Sequence, residues 1–177
     1  MGLDLVEFVI ATEEAFGLAI PDSEAEGLTT PGRLVQYLEA RLPSGPSPCL
    51  EQRAFYLVRR SAMTVLAHPR QAFRPETTWL TLLPKTGRAT AWRDLGTTLN
   101  VSAWPRLWPW QSAPTGQGTV GDTARRVATL HAAKLLRTGE GWSRPKIEAV
   151  VMGLLRHQLG IERFGWNDRF VDELRID

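Results

Sequence analysis

The feature that most constrains how this chain can fold is an internal repeat whose two copies are cut at different places. In residues 141–177 and 50–88, Phe164 and Phe73 are each followed six positions later by an aromatic residue (Phe170, Trp79). An aliphatic comes next (Val171, Leu80), and a leucine three positions further on (Leu174, Leu83). Two extra residues before Phe73 bring the preceding helical patterns into register as well: Ile147, Val150, Val151, Leu155 and Leu159 fall on Ala54, Leu57, Val58, Ala62 and Leu66. A second match pairs Thr30-Pro31-Gly32 with Thr119-Val120-Gly121, each opening a helix. The middle of the chain therefore reads as a whole unit: helix, long loop, helix, turn, helix. The C-terminal segment is the first part of such a unit and the N-terminal segment the last part. The two chain ends, Ile176-Asp177 and Gly2-Leu3-Asp4, should then lie beside each other, on the same chain or on a neighbouring one.

Local signals place the elements. Residues 3–16 predict an amphipathic helix with Leu3, Val6 and Ile10 as its buried stripe, widened by Val9 and Phe16, and with Asp4, Glu7, Glu13 and Glu14 on the rest of its surface. Gly17 suits the left-handed C′ position. Thr30 and Pro31 suit the N-cap and N1 of a helix buried through Leu34, Val35 and Leu38. Pro43-Ser44-Gly45-Pro46-Ser47-Pro48 reads as a linker, because three prolines and a glycine cannot continue a helix. Helices are expected at 50–67, near 88–99, and from Thr119 to about Leu136. Gly139-Glu140-Gly141 forms a shorter linker, and a last helix, opened by Ser143 and closed by Gly160, buries Ile147, Val150, Val151, Leu154, Leu155 and Leu159. The expected fold class is all-α, with two small helical bundles. One is contiguous (50–138) and one is assembled from the terminal segments (1–42 and 141–177).

Charge divides the chain the same way. The overall formal charge of +2 combines a net −6 over residues 1–42, a net +8 over 43–140 and zero over 141–177. No apolar run has the length of a membrane span, and the acidic N-terminus has no basic n-region, so the expectation is a soluble, cytoplasmic protein. The single cysteine, Cys49, excludes an intrachain disulfide and stands in the Pro-rich stretch. His68, His131 and His157 have no ligand spacing, and no Ser/His/Asp set stands in a motif. Neither a metal site nor an enzyme is expected.

Joined end to start, the terminal segments resemble an acyl carrier protein. The family's Ser-Leu-Asp-x-Val-Glu-Leu-Val is similar to Gly2-Leu3-Asp4-Leu5-Val6-Glu7-Phe8-Val9, and Glu13-Glu14-Ala15-Phe16-Gly17 follows at the family's spacing. Ile20-Pro21-Asp22-Ser23-Glu24-Ala25-Glu26 and Thr29-Thr30-Pro31-Gly32 continue the match. Residues 145–177 resemble the first half of the family, ending in Phe170-Val171-Asp172-Glu173-Leu174. Residues 50–138 share it only through the repeat. The halves stand in reverse order. The resemblance therefore implies a circularly permuted unit closed within one chain, a swapped dimer or open polymer closed between chains, or a window of a longer array.

The resemblance also implies a cofactor, 4′-phosphopantetheine, esterified to a serine at the start of the second helix. Gly2 stands at that serine and is expected to be unmodified, so no cofactor is expected. In the middle unit the corresponding site lies near Lys85-Thr86-Gly87, with Thr86 in place of the family's aspartate. What remains of the family's function is protein docking. Asp4, Glu7, Glu13 and Glu14 match the acidic positions that meet basic patches of partner enzymes, and a solvated helix face is the plain alternative. The expected partners are proteins: enzymes of an acyl-carrier pathway, or an acidic carrier protein for the basic middle unit, with homodimerisation by swapping as a further possibility.

Two other functions are open on the sequence. One is a genuine acyl or peptidyl carrier loaded at another hydroxyl. The other is an anion or nucleic-acid binder using Arg59, Arg60, Arg70, Arg74, Lys85, Arg88, Arg93, Arg125 and Arg126 with Trp92, Trp104, Trp108 and Trp110. The chain has no RRM, KH or OB signature, which weighs against nucleic acid. The Trp/Pro stretch 104–110 is expected to pack over the core, with an exposed aromatic hook as the alternative.

Overall fold

The computed structural model describes residues 2–102, 104–108, 111, 116 and 118–176. Among these the fold is all-helical. The helices are α1 (Leu3–Phe16), α2 (Asp22–Ala25), α3 (Pro31–Arg41), α4 (Leu50–Leu66), α5 (Trp79–Leu82), α6 (Arg88–Leu99), α7 (Val120–Leu130) and α8 (Arg144–Leu159). Short 3₁₀ turns follow α4 (Arg70–Ala72) and α7 (Ala132–Leu135). None of the described helices is long and apolar enough to cross a membrane.

Contacts divide the chain into two units, one of residues 1–49 with 129–177 and the other of 50–128. The middle unit is thus shorter than the 50–138 read from the sequence. The helix expected to run to Leu136 stops at Leu130, because His131 leaves helical geometry (φ −133°, ψ 36°). The 3₁₀ turn that follows buries Ala132 and Leu135 and packs against α1. Residues 129–138 accordingly belong with the terminal segments.

In the unit built from the termini, α8 packs on α1 and α3, so the first and last segments meet within one chain. Phe8 of α1 makes an edge contact with Phe170, with ring centroids 5.5 Å apart at 61°. Phe16 lies 4.7 Å from Trp142. The Pro43–Pro48 stretch is not a free tether. Trp142 N–H donates to the Pro43 carbonyl at 2.8 Å, and Lys146 Nζ donates to the Pro48 carbonyl. Thr30 caps α3 by accepting from Arg33 N–H at 3.2 Å, with Pro31 following it. Ser143 occupies the N-cap of α8, but its hydroxyl makes no cap bond and lies 3.5 Å from Ser47 Oγ instead. Gly17 and Gly160 close α1 and α8 in the left-handed conformation, as their lack of a Cβ allows.

In the middle unit α4 packs on α6, and three tryptophans form the centre. Trp79 and Trp92 meet edge to face at 5.2 Å, and Trp104 stacks on Trp92 at 4.6 Å. Each indole N–H is satisfied, to Thr123 Oγ1 (2.8 Å), the Pro105 carbonyl (2.7 Å) and the Trp92 carbonyl (2.8 Å) respectively, as burial of a donor requires. Gly96 admits the Trp104 ring, since a Cβ there would stand 2.4 Å from it. Trp104 thus packs on the core, whereas Trp108 is exposed beneath the Arg106 guanidinium. Pro109 and Trp110 lie outside the described residues.

The repeat has a backbone counterpart in both units. Gly32 N–H donates to the Trp166 carbonyl (2.7 Å) and Phe170 N–H to the Thr29 carbonyl (3.0 Å). At the repeat-related positions, Gly121 N–H donates to the Pro75 carbonyl (2.8 Å) and Trp79 N–H to the Gly118 carbonyl (3.0 Å). This two-bond clamp ties the loop after the first helix of each unit to the start of its last helix. Both glycines are required by close approach. A Cβ on Gly32 would stand 2.7 Å from the Trp166 oxygen, and one on Gly121 would stand 2.8 Å from the Pro75 oxygen. Gly32→Ala and Gly121→Ala should each destabilise the unit concerned by about 1–3 kcal/mol, the cost of forcing a methyl into packed backbone, measured by urea unfolding.

The same clamp region carries a capping box. Asp122 accepts from Thr119 N–H (2.9 Å) and from its hydroxyl (2.8 Å), while Asp122 N–H donates to Thr119 Oγ1 at 3.1 Å. Burial pushes the Asp122 carboxyl pKa up, but the bonds from Thr119 and Arg125 outweigh burial and hold it below the ordinary carboxylate value. The stability it contributes is therefore present above the unfolded carboxylate pKa and is lost as pH falls through the folded one. Asp122→Asn should cost about 1 kcal/mol at neutral pH, the scale of a lost cap, and the gap from the parent should close in acid below that window in urea melts at the two pH values.

Candidate functional surface on the first helix

The buried face of α1 is not the one its aliphatic spacing predicts. Leu5, Phe8, Ala11, Thr12, Ala15 and Phe16 face the core, whereas Leu3, Val6 and Ile10 are 73%, 38% and 55% exposed. Both rows have helical spacing, so periodicity alone could not choose. Ring size and partners decide between them. Phe8 and Phe16 each have an aromatic partner in the C-terminal segment, and a buried aromatic removes more area from water than an aliphatic. The buried Thr12 is tolerated because its hydroxyl donates to the Phe8 carbonyl at 2.8 Å.

The acidic positions fall into two groups. Asp4, Glu7 and Glu14 are exposed, and Asp4 stands in the first turn of α1, where the helix dipole favours an anion. Glu13 is half-buried, and its Oε1 accepts from Ile20 N–H at 2.6 Å. It holds the turn after α1. Leu3, Val6 and Ile10 thus form an exposed apolar row on a helix whose other exposed groups include Asp4, Glu7 and Glu14. Sequence reasoning located the carboxylates but assigned the apolar row to the core. The signal that identifies the true inward face is the Phe8/Phe16 pair with the small residues between.

Gly2 is the N-cap of α1 in extended conformation (φ −75°, ψ 171°) and offers no side-chain cap. It brings no hydroxyl to the helix start, so the residues present do not fit an esterified phosphopantetheine there. In the middle unit, the aromatic pair Trp79–Trp92 corresponds to Phe170–Phe8. Counting back six residues from Trp92, as from Phe8 to Gly2, reaches Thr86, so in this register Thr86 stands at the position of the family's serine and not, as expected from the sequence, at that of its aspartate. Thr86 is exposed and precedes the N-cap Gly87, whose φ is +76°.

Two cavities flank the start of α1. One of about 190 Å3 is lined by Leu5, Ala25, Leu28, Phe170 and Val171, with Glu26, Thr29 and Arg169 also bordering it. The other, of about 170 Å3, is bordered by Asp4, Glu7, Leu159, Leu174 and Ile176 among others. Among the described residues no group of three His, Cys, Asp or Glu side chains could hold a metal ion, and Cys49 is exposed.

Comparison with known proteins adds a partial match. Over 39 residues the chain is 54% identical to an acyl carrier protein of Prochlorococcus marinus (strain MIT 9515), covering 22% of this chain and 49% of that protein. Over 37 residues it is 54% identical to an acyl carrier protein of Wolinella succinogenes, covering 21% of this chain and again 49% of the relative. This chain carries an acyl-carrier-protein-like region. It spans about half the length of the curated relatives it matches. No protein-family model matches the chain, and no solved structure matches it.

The split among the acidic residues has a direct consequence. Glu13→Ala should lower stability by about 1 kcal/mol through the lost bond to Ile20 N–H. Asp4→Ala and Glu7→Ala should each stay within about 0.5 kcal/mol of the parent, as surface changes do. Denaturant midpoints of the three variants check this.

Proposed function

We propose that the chain is a non-enzymatic interaction protein of an acyl-carrier-related pathway, and that it docks partner proteins through the exposed face of α1 without carrying an acyl group itself. The observation that carries this reading is the row Leu3, Val6 and Ile10, left exposed on a helix that also exposes Asp4, Glu7 and Glu14. Apolar side chains surrounded by like charges are what a partner surface needs. The apolar row supplies burial, and the carboxylates select a basic partner and speed encounter. Glu13 is committed to the turn after α1 and contributes indirectly by holding the helix end.

In this reading the acyl-carrier-like unit is circularly permuted, its second half at the N-terminus and its first half at the C-terminus, with a divergent second copy between them. The recurrence of the clamp at repeat-related positions and of the aromatic edge contact supports it. The absence of a hydroxyl at Gly2 supports the non-carrier role.

Two measurements test the proposal. Incubated with a phosphopantetheinyl transferase and coenzyme A, the chain should keep its unmodified mass in mass spectrometry; a gain of one phosphopantetheine group overturns the non-carrier reading. In binding assays against enzymes that act on acyl carrier proteins, at least one should bind in a salt-sensitive way. Val6→Asp combined with Ile10→Asp should weaken that binding by about tenfold or more, the effect of losing apolar anchors at an interface. Binding to none of these enzymes, or binding unchanged by the double variant, removes α1 as the docking face.

A further inference from the structure

Counted without gaps from the Phe8/Trp92 correspondence, α1 and the turn after it fall on α6 and the turn after that. In this register Ile20-Pro21-Asp22 corresponds to Trp104-Pro105-Arg106. The proline recurs, but its surroundings differ in shape and in charge. Ile20 is buried at 4% exposure, whereas Trp104 is half-buried. Gly96 stands at the place of the buried Thr12, and the Trp104 ring occupies the room, 2.4 Å from where a Cβ would be. Thr97 stands at the place of Glu13, Arg106 at that of Asp22 and Arg93 at that of Val9. Asp4, Glu7 and Glu14 correspond to Arg88, Ala91 and Thr98, so none of the α1 carboxylates has a counterpart.

A cleft of about 500 Å3 lies where these differences gather. Trp104 forms part of its wall, Arg93 and Arg106 border it, and Thr90, Thr97 and Asn100 bring hydroxyl and amide groups to it. None of its described lining residues is acidic. Arg93 has Asp94 at 3.5 Å, in a pair open to solvent. Arg106 pairs with no carboxylate among the described residues; its guanidinium lies 5.0 Å from the Trp108 ring centroid. Such a cation–π contact leaves guanidinium N–H donors available to an anion. The volume falls within the range of small-molecule sites, about 300–1,000 Å3. The indole suits a planar ring, the guanidinium groups suit phosphate oxygens, and the hydroxyl and amide groups suit the edges of a base and a sugar. An aliphatic anion would leave the indole and these polar groups without matching partners.

We propose that this cleft between α6 and the Trp104–Leu107 turn binds a nucleoside monophosphate, the base against Trp104 and the phosphate on Arg106, with Arg93 as the second cation. This does not depend on the docking role of α1, whose residues do not border the cleft. The test titrates the full chain with AMP, adenosine and ribose 5-phosphate and follows amide and indole N–H chemical shifts. AMP should shift the Trp104 indole and the Gly96 and Thr97 amides saturably. It should bind about tenfold more tightly than either fragment, the scale of one base stack or one hydrogen bond to a charged group. Arg106→Gln should remove the preference for AMP over adenosine. Thr97→Glu, which places a carboxylate where the other unit has Glu13, should abolish binding. Both substitutions are at exposed positions, and unchanged urea midpoints would show that the fold is intact. The proposal is overturned by the absence of saturable shifts with AMP, by shifts centred outside the cleft, by equal affinity for AMP and adenosine, or by Arg106→Gln keeping the preference. A tetranucleotide binding about a hundredfold more tightly than AMP, as successive stacked bases allow, would overturn the mononucleotide in favour of a nucleic-acid strand.

Discussion

The edge contact between Phe8 and Phe170 is the interaction on which the unit built from the termini depends. It joins the second turn of the first helix to the last few residues of the chain. Beside it, Phe170 N–H reaches the Thr29 carbonyl and Gly32 N–H the Trp166 carbonyl, so one short segment, 166–170, is held by both α1 and the start of α3. An aromatic pair of this kind is worth about 0.5–1.5 kcal/mol beyond its buried area, and the backbone bonds fix its register. The two halves can be far apart in sequence at little cost. Loop-closure entropy grows only with the logarithm of loop length, about 0.6 kcal/mol per doubling, so the whole middle unit can be interposed once the contact surface is good enough. The middle unit repeats the solution with larger rings, Trp79 on Trp92, and the same pair of backbone bonds.

Much of this was legible in the sequence, and the reason is physical. Gly32 and Gly121 are places where backbone approaches backbone, Phe170 and Trp79 are ring positions beside them, and Thr30 and Thr119 serve helix starts through their side-chain oxygens. Such positions tolerate few residue types, so they are recoverable from residue identity alone. The parts that were not legible share the opposite property. The orientation of α1 depended on a choice between two apolar rows that both satisfy helical periodicity, decided by partners far away in the chain. The stop at His131 has no breaker to announce it; neither proline nor glycine stands there. The Pro43–Pro48 stretch reads as a tether by composition, yet it is pinned by bonds from Trp142 and Lys146 that no local rule foresees.

The two units share their backbone clamps and differ in their surfaces. The first carries an acidic α1 and the second a basic α4–α6 region, with Arg53, Arg59 and Arg60 on α4 and Arg88 and Arg93 on α6. Surface charge is free to vary because it contributes little to stability, whereas the clamp positions are not.

A helix with apolar residues on two faces is in tension with its surroundings unless both faces have a use. One face of α1 is accounted for by Phe8, Ala11, Ala15 and Phe16 in the core. The other leaves Leu3, Val6 and Ile10 in water, at a cost of roughly 25 cal/mol for each Å2 of apolar surface left unburied. Packing makes least use of Leu3 and Ile10, which are more than half exposed. Carboxylates within a turn of each raise the local charge, and like-charged surfaces keep copies of the same helix apart. On the proposed docking role, a row both apolar and flanked by carboxylates calls for a basic partner surface with a hollow of its own, and that is the kind of surface the docking assay must find.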